Sequence, residues 1–235
     1  MTFNFHNYHF KSNELFENIG NNDRQKLKSI KTLRRYYRGE ILYTQGSLAS
    51  AVYGLKKGKI KIEQLNTDGK ICILYVYSRG EYFGFRTLLS NEKIPVSAIF
   101  LEDSEVEIYD GKKYLHMIKE SITFSYNHIQ ILSYEFNVWI NFISSLSHKT
   151  AKAKIALVLL ILSEKYKDDN PSAITMTKLD IARYSDTTEE TVVRVIGFFV
   201  RLKLLTNNGR AIWITNSKSL EIIAEGSIQH PEVKI

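Results

Sequence analysis

The chain has little of what staples or ligates: 235 residues contain one cysteine, Cys72. A lone thiol rules out an intrachain disulfide, a CxxC zinc site and a cysteine-ligated iron–sulfur cluster. Cys72 sits in the apolar run ICILYVY, which predicts a buried strand thiol. Proline is also scarce, at three residues, and one of them closes the turn-rich stretch DDNPS. There is no run of about 18 apolar residues, and the start MTFNFHNYHFKSNE lacks a basic region followed by an apolar one. The expectation is a cytoplasmic protein with no membrane partner. No G-x-S-x-G, H-E-x-x-H, P-loop or dinucleotide fingerprint is present, so neither an enzyme nor a metal site is expected.

What the chain does have is a globular composition, 44 % hydrophobic and 24 % charged, with a formal net charge of +7. A basic balance suits a polyanionic partner. Between His148 and Asn216 eleven Lys and Arg stand against seven Asp and Glu, so the C-terminal part is enriched in cations.

The periodicity changes three times along the chain. From Ser12 to Ile30, apolar residues around a GNN break predict two short helices. Between Arg38 and Tyr109, short β-rich runs alternate with turns, among them Asp68-Gly69, which reads as a two-residue type I′ hairpin. Strands at this spacing predict an antiparallel barrel or sandwich. A long helix follows from about Ser121 to His148, where Ile129, Leu132, Phe136, Trp139, Ile143 and Leu146 recur at spacings of 3 and 4. That is a heptad seam and predicts pairing with a second copy. Packing of the helix on its own barrel is the alternative.

KAKIALVLLILSEKY predicts a buried helix, followed by helical patterns at Thr177–Tyr184 and Thr188–Leu204 and by the hairpin LLTNNGRAIWIT with an Asn208-Gly209 turn. Helices closed by such a wing make a winged helix-turn-helix, with Thr188–Phe199 as its recognition helix. Thr188 is a good N-cap, with Thr191 three residues on. Val192, Val195, Ile196, Phe199, Val200 and Leu202 fit one buried face, leaving Glu189, Glu190, Val193, Arg194 and Gly197 outward. Such a helix reads bases with its N-terminal residues. Arg194 offers a fork for guanine O6 and N7, and Glu190 an acceptor for cytosine N4. At i and i+4 these two can also orient each other. Thr188, Thr191, Lys178, Arg183, Lys203 and Arg210 are the candidates for phosphate contacts.

The order helical lead, β-roll, long helix and winged helix-turn-helix resembles the cyclic-AMP receptor protein/FNR family of bacterial transcription regulators. The resemblance covers nearly the whole chain and rests on RGEILYTQGS, GKIKI and DGK, GEYFGFRTLL (Gly80–Leu89), SAIFLEDSEV (Ser97–Val106) and ETVVRVI (Glu190–Ile196). It implies an α+β architecture: a cyclic-nucleotide-binding-type β-roll over residues 1–120, a dimerisation helix over 121–148 and a DNA-binding domain over 149–235. It further implies a homodimer on double-stranded palindromic DNA, with RNA polymerase as a protein partner. In this family the Glu190–Arg194 spacing is that of the base-reading pair.

Two departures bear on the effector. Members that bind cyclic nucleotides carry a Glu after the central glycine of the cassette, where this chain has Phe85 after Gly84. They also carry an Arg before Ser-Ala, where this chain has Val96 before Ser97 and Ala98. A buried phosphate without its Arg is costly, so cyclic AMP is not expected to bind. Gly84, Phe85, Arg86, Val96, Ser97 and Trp139 remain the candidate effector pocket, Arg86 serving a ligand from another direction. Trp139, a position of the heptad seam, is expected first as interface packing; a compatible alternative is that its bulk fills space that a nucleotide would need. His6, His9, His116, His128 and His148 are potential axial ligands that leave haem open. A competing expectation is an effector-binding signalling protein whose C-terminal domain contacts protein and not DNA.

Overall fold

The computed structural model describes residues 3–226. The chain divides into two compact units: His9–Trp139 forms one, and residues up to Tyr8 join Ile140 onward in the other.

In the first unit the predicted pair of short helices appears as a 3-10 turn at Ser12–Phe16 and α1 (Asn21–Ser29). Eight strands follow: β1 (Lys31–Tyr36), β2 (Ile41–Tyr43), β3 (Ala51–Lys57), β4 (Ile60–Leu65), β5 (Ile71–Tyr77), β6 (Tyr82–Phe83), β7 (Ser97–Phe100) and β8 (Ser104–Asp110). They form two antiparallel four-stranded sheets, ordered β1-β8-β3-β6 and β2-β7-β4-β5. Side chains from both sheets meet in one interior, including Tyr53, Ile60, Ile62, Tyr75, Tyr77, Phe83, Phe100 and Val106. This is the expected β-roll. Helix α2 (Phe85–Ser90) interrupts it after Gly84, whose φ of 90° is open to glycine at little cost.

Two local expectations are corrected. The Asp68-Gly69 turn is a three-residue loop, because only Gly69 has positive φ, and Asn66 N donates to Lys70 O across it at 2.8 Å. Cys72 is only half-buried, since it stands at the start of β5 just after an exposed loop, and its thiol points to Gln64 O at 3.7 Å.

Helix α3 (Gly111–Glu120) is capped by Asp110, whose carboxylate accepts from Lys113 N. Helix α4 (Ile122–His148) starts after Ser121, whose hydroxyl accepts from Phe124 N at 3.3 Å. The boundary between the two units falls inside α4. One face of α4 is buried at Phe124, His128, Ile131, Glu135, Val138 and Phe142, again at spacings of 4 and 3.

The second unit contains α5 (Ala151–Tyr166), α6 (Lys178–Tyr184), α7 (Glu189–Arg201), β9 (Leu205–Asn207), β10 (Ile212–Ile214) and α8 (Ser217–Glu225). Helix α5 is buried almost all round, as its sequence KAKIALVLLILSEKY suggests. The antiparallel pair β9–β10 is the predicted wing, turned at Gly209. Helix α8 packs on α5 and was not foreseen; Asn216 caps it by accepting from Ser219 N at 3.0 Å.

Candidate functional site

Helices α6 and α7 are joined by a tight turn. Thr177 caps α6, and Thr188 caps α7 by accepting from Thr191 N at 3.2 Å, each cap worth about 1 kcal/mol. Between them Asp186 adopts the left-handed region at φ 48°, and Thr187 N donates to Ala182 O at 3.0 Å. Val192, Val195, Ile196 and Phe199 bury the inner face of α7. Val200 and Leu202 do not join them, at 38 % and 39 % exposed, because the 3.6-residue period carries both off that stripe. The helix also ends at Arg201, short of the predicted Leu204.

The outward face consists of Glu189, Glu190, Val193 and Arg194, all exposed. The expected orienting contact between Glu190 and Arg194 is absent: among the described residues Arg194 makes no ion pair and no side-chain hydrogen bond, and neither does Glu190. Their polar groups face solvent.

Of the phosphate candidates, Thr188 is exposed at the cap and its hydroxyl also donates to Thr191 Oγ1 at 2.9 Å. Lys178 donates to Gly209 O at 3.3 Å, tying α6 to the wing turn, and partial burial lowers its pKa. Arg183 leans on Asp180 at 3.9 Å. Lys203, at φ 57° just after α7, and Arg210 at the wing turn are exposed and carry no ion-pair partner among the described residues.

Along α4 the solvent-facing apolar residues are Ile122, Tyr126, Ile129, Phe136, Ile140 and Ile143, from 49 % to 89 % exposed. Ile129, Phe136 and Ile143 are thus outward as the seam requires. Its second file is not: Leu132 packs on the core around Phe124, and Trp139 packs on the roll interior. Leu146 is half-buried. The outward stripe runs instead through Tyr126, Ser133, Ile140 and Ser147. Two heptad stripes lie side by side on this helix, and spacing alone cannot assign which one faces out.

Two family models match, Cyclic nucleotide-binding domain over residues 33–121 and Crp-like helix-turn-helix domain over residues 153–223. The chain belongs to the Crp/Fnr family of transcription regulators. Among curated relatives, the transcriptional activator protein Anr of Pseudomonas protegens is 26 % identical over 204 residues, covering 85 % of this chain and 83 % of that protein. The fumarate and nitrate reduction regulatory protein of Yersinia pestis is 26 % identical over 197 residues, with 80 % and 76 % covered. The solved structure of FixK2 from Bradyrhizobium japonicum shares the fold, with a TM-score of 0.73 at 21 % identity, covering 83 % of this chain and 97 % of that one.

The cyclic nucleotide-binding domain match falls on the roll, and here the roll is filled from within. Phe10, fully buried, stacks on Tyr75 with ring centroids 3.9 Å apart, and its backbone N–H donates to the Tyr75 hydroxyl at 2.9 Å. Tyr77 stacks on Phe83 at 4.6 Å. Arg86 reaches into the same space. Its guanidinium lies 3.1 Å from a Glu135 oxygen, donates to the Tyr77 hydroxyl at 3.2 Å, and covers the rings of Phe10 and Trp139 at 5.4 and 5.8 Å. Glu135 is 1 % exposed; burial pushes its pKa up to about 7, while Arg86 pulls the other way.

The remaining pocket candidates are also spoken for. Phe85 points away from this interior into the core around Tyr114 and Phe124, edge-on to His128 at 5.7 Å. Val96 packs on the roll interior, and the Ser97 hydroxyl accepts from Gln45 N at 2.9 Å. Phe85 and Val96 thus offer this interior no polar group, and Phe10 occupies it. Both ring nitrogens of His128 are engaged, by Tyr114 at 3.0 Å and Phe124 O at 2.7 Å, and burial lowers its pKa to about 4. It is not available as an axial haem ligand. The place of Phe10 in the roll interior has no sequence signal, because its partner Tyr75 lies 65 residues away.

Among the described residues no group of three or more His, Cys, Asp or Glu side chains is gathered to hold a metal ion, and no helix is long and apolar enough to cross a membrane.

Proposed function

We propose that this regulator binds DNA as a homodimer, pairing through the outward stripe of α4 and reading each half-site with Glu190 and Arg194 at the start of α7. The observation that carries the reading is a polar, partnerless face at the N-terminal end of a capped second helix. Base edges would supply the partners those groups lack. Glu189 and Val193 flank the readers, while Thr188, Thr191, Lys203 and Arg210 take phosphates; Lys178 and Arg183, already engaged at the wing and at Asp180, take them more weakly. Two-fold pairing sets the two α7 helices about 34 Å apart, so the target is an inverted repeat with half-sites one helical turn apart. The protein acts in the cytoplasm, has no catalytic role, and meets RNA polymerase at its target promoters.

We further propose that the roll does not take cyclic AMP. Selection of bound duplexes from a randomised pool tests the first proposal: an inverted repeat at one-turn spacing is expected, and a single unrepeated site or no enrichment would contradict it. Calorimetry with cyclic AMP tests the second, with no saturable heat expected.

A further inference from the structure

We infer that Gly197 and Arg201 form a seat for a DNA backbone phosphate on α7, an inference that rests on the DNA-binding reading above. Gly197 lies in the middle of a thirteen-residue helix, where glycine is among the poorest choices. Nothing inside the chain asks for it. A Cβ built there would meet only Arg201 Nη1, at an ordinary 3.9 Å, whereas the same addition at Gly111 would collide with the Ser50 backbone. The space that the missing side chain leaves open faces outward, on the same side as Glu190 and Arg194.

Its position along the helix identifies what comes close. Gly197 is seven residues past Glu190, about 10 Å along the axis at roughly 1.5 Å per residue. The major groove is about 12 Å wide. With Glu190 against base edges, Gly197 stands near the groove wall, where the phosphates are. Arg201 supplies the matching charge. It is exposed, has no ion-pair partner among the described residues, and its side chain leans back along the helix to border the gap. A phosphate oxygen entering over Gly197 would meet the helix surface on one side and the forked guanidinium on the other.

The test measures anisotropy of the full-length protein on two labelled duplexes, the selected site and a random sequence, over a salt series. Arg201→Ala is expected to weaken both duplexes equally, by about tenfold, and to flatten the log-affinity against log-salt slope by about two, one phosphate per protomer. Gly197→Ala is expected to raise Tm, since alanine favours helix, yet to weaken both duplexes alike. Misfolding cannot produce that combination. A Gly197→Ala protein with higher Tm and unchanged affinity would overturn the seat, as would Arg201→Ala with an unchanged salt slope or with altered preference between the duplexes. Wild-type protein that shows neither preference nor salt dependence would instead overturn the DNA-binding reading itself.

Discussion

Arg86 and Arg194 are treated in opposite ways by the fold. Arg86 is engaged within the roll, paired with Glu135 and donating to the Tyr77 hydroxyl, with aromatic rings against its face. Arg194 has nothing to bond to within the described chain. The same contrast extends to their surroundings: polar side chains in the roll bond one another, as when Tyr75 donates to Glu81 at 2.6 Å and Glu81 accepts from Ser78 N at 2.7 Å. On α7 the Glu190 and Arg194 side chains bond no other described residue and face water. A group that the chain has already satisfied serves stability, while an unsatisfied group on a rigid element is available to a partner.

The largest effect should come from the α4 stripe, through which the proposed dimer pairs. Replacing Phe136 and Ile143 together by Glu puts four charges in each paired interface; light scattering should report a monomer, and site affinity should fall more than about a hundredfold. A dimer mass would show that the stripe is not the interface.

Phe10→Ala comes next. It removes a fully buried ring from the roll interior, at a cost of about 3 to 5 kcal/mol read by urea unfolding. Sequence preference of the folded fraction should be untouched. A loss below about 1 kcal/mol would mean that Phe10 does not fill the interior.

The buried charges make opposing contributions to stability as pH changes. Glu135 has its pKa raised by burial from 4.5 to about 7, so its contribution falls as pH rises through that window. His128 has its pKa lowered by burial from 6.5 to about 4, so its contribution falls as pH drops through that window. Each is worth about 3 kcal/mol, and they offset each other where the windows overlap. Glu135→Gln removes the first alone. The variant should therefore gain about 3 kcal/mol of stability between pH 4 and 6.5 relative to the wild-type profile. Parallel profiles would contradict the buried, ionisable Glu135.

Much of this arrangement was legible in the sequence because it is local. The cap at Thr188, the wing turned at Gly209 and the inner stripe of α7 all follow from spacings within a few residues. What stayed hidden depends on distant partners or on competing registers. Phe10 stacks on a tyrosine that sequence spacing cannot bring near it. Leu132 and Trp139 carry the same heptad period as Ile140, and only packing on the roll separates the two stripes. The turn of Phe85 into the core around His128 has no sequence signal.

The contrast between the two arginines is tested most directly by comparing Arg194→Ala with Arg86→Ala, measuring Tm and the affinity ratio between the selected site and random DNA. Arg194→Ala should leave Tm within a degree or so and collapse the ratio by about 1 to 3 kcal/mol for each base pair read. Arg86→Ala should lower Tm, since it strands Glu135 in the roll, and should preserve the ratio. An Arg194→Ala protein that keeps its full preference for the selected site would contradict the account.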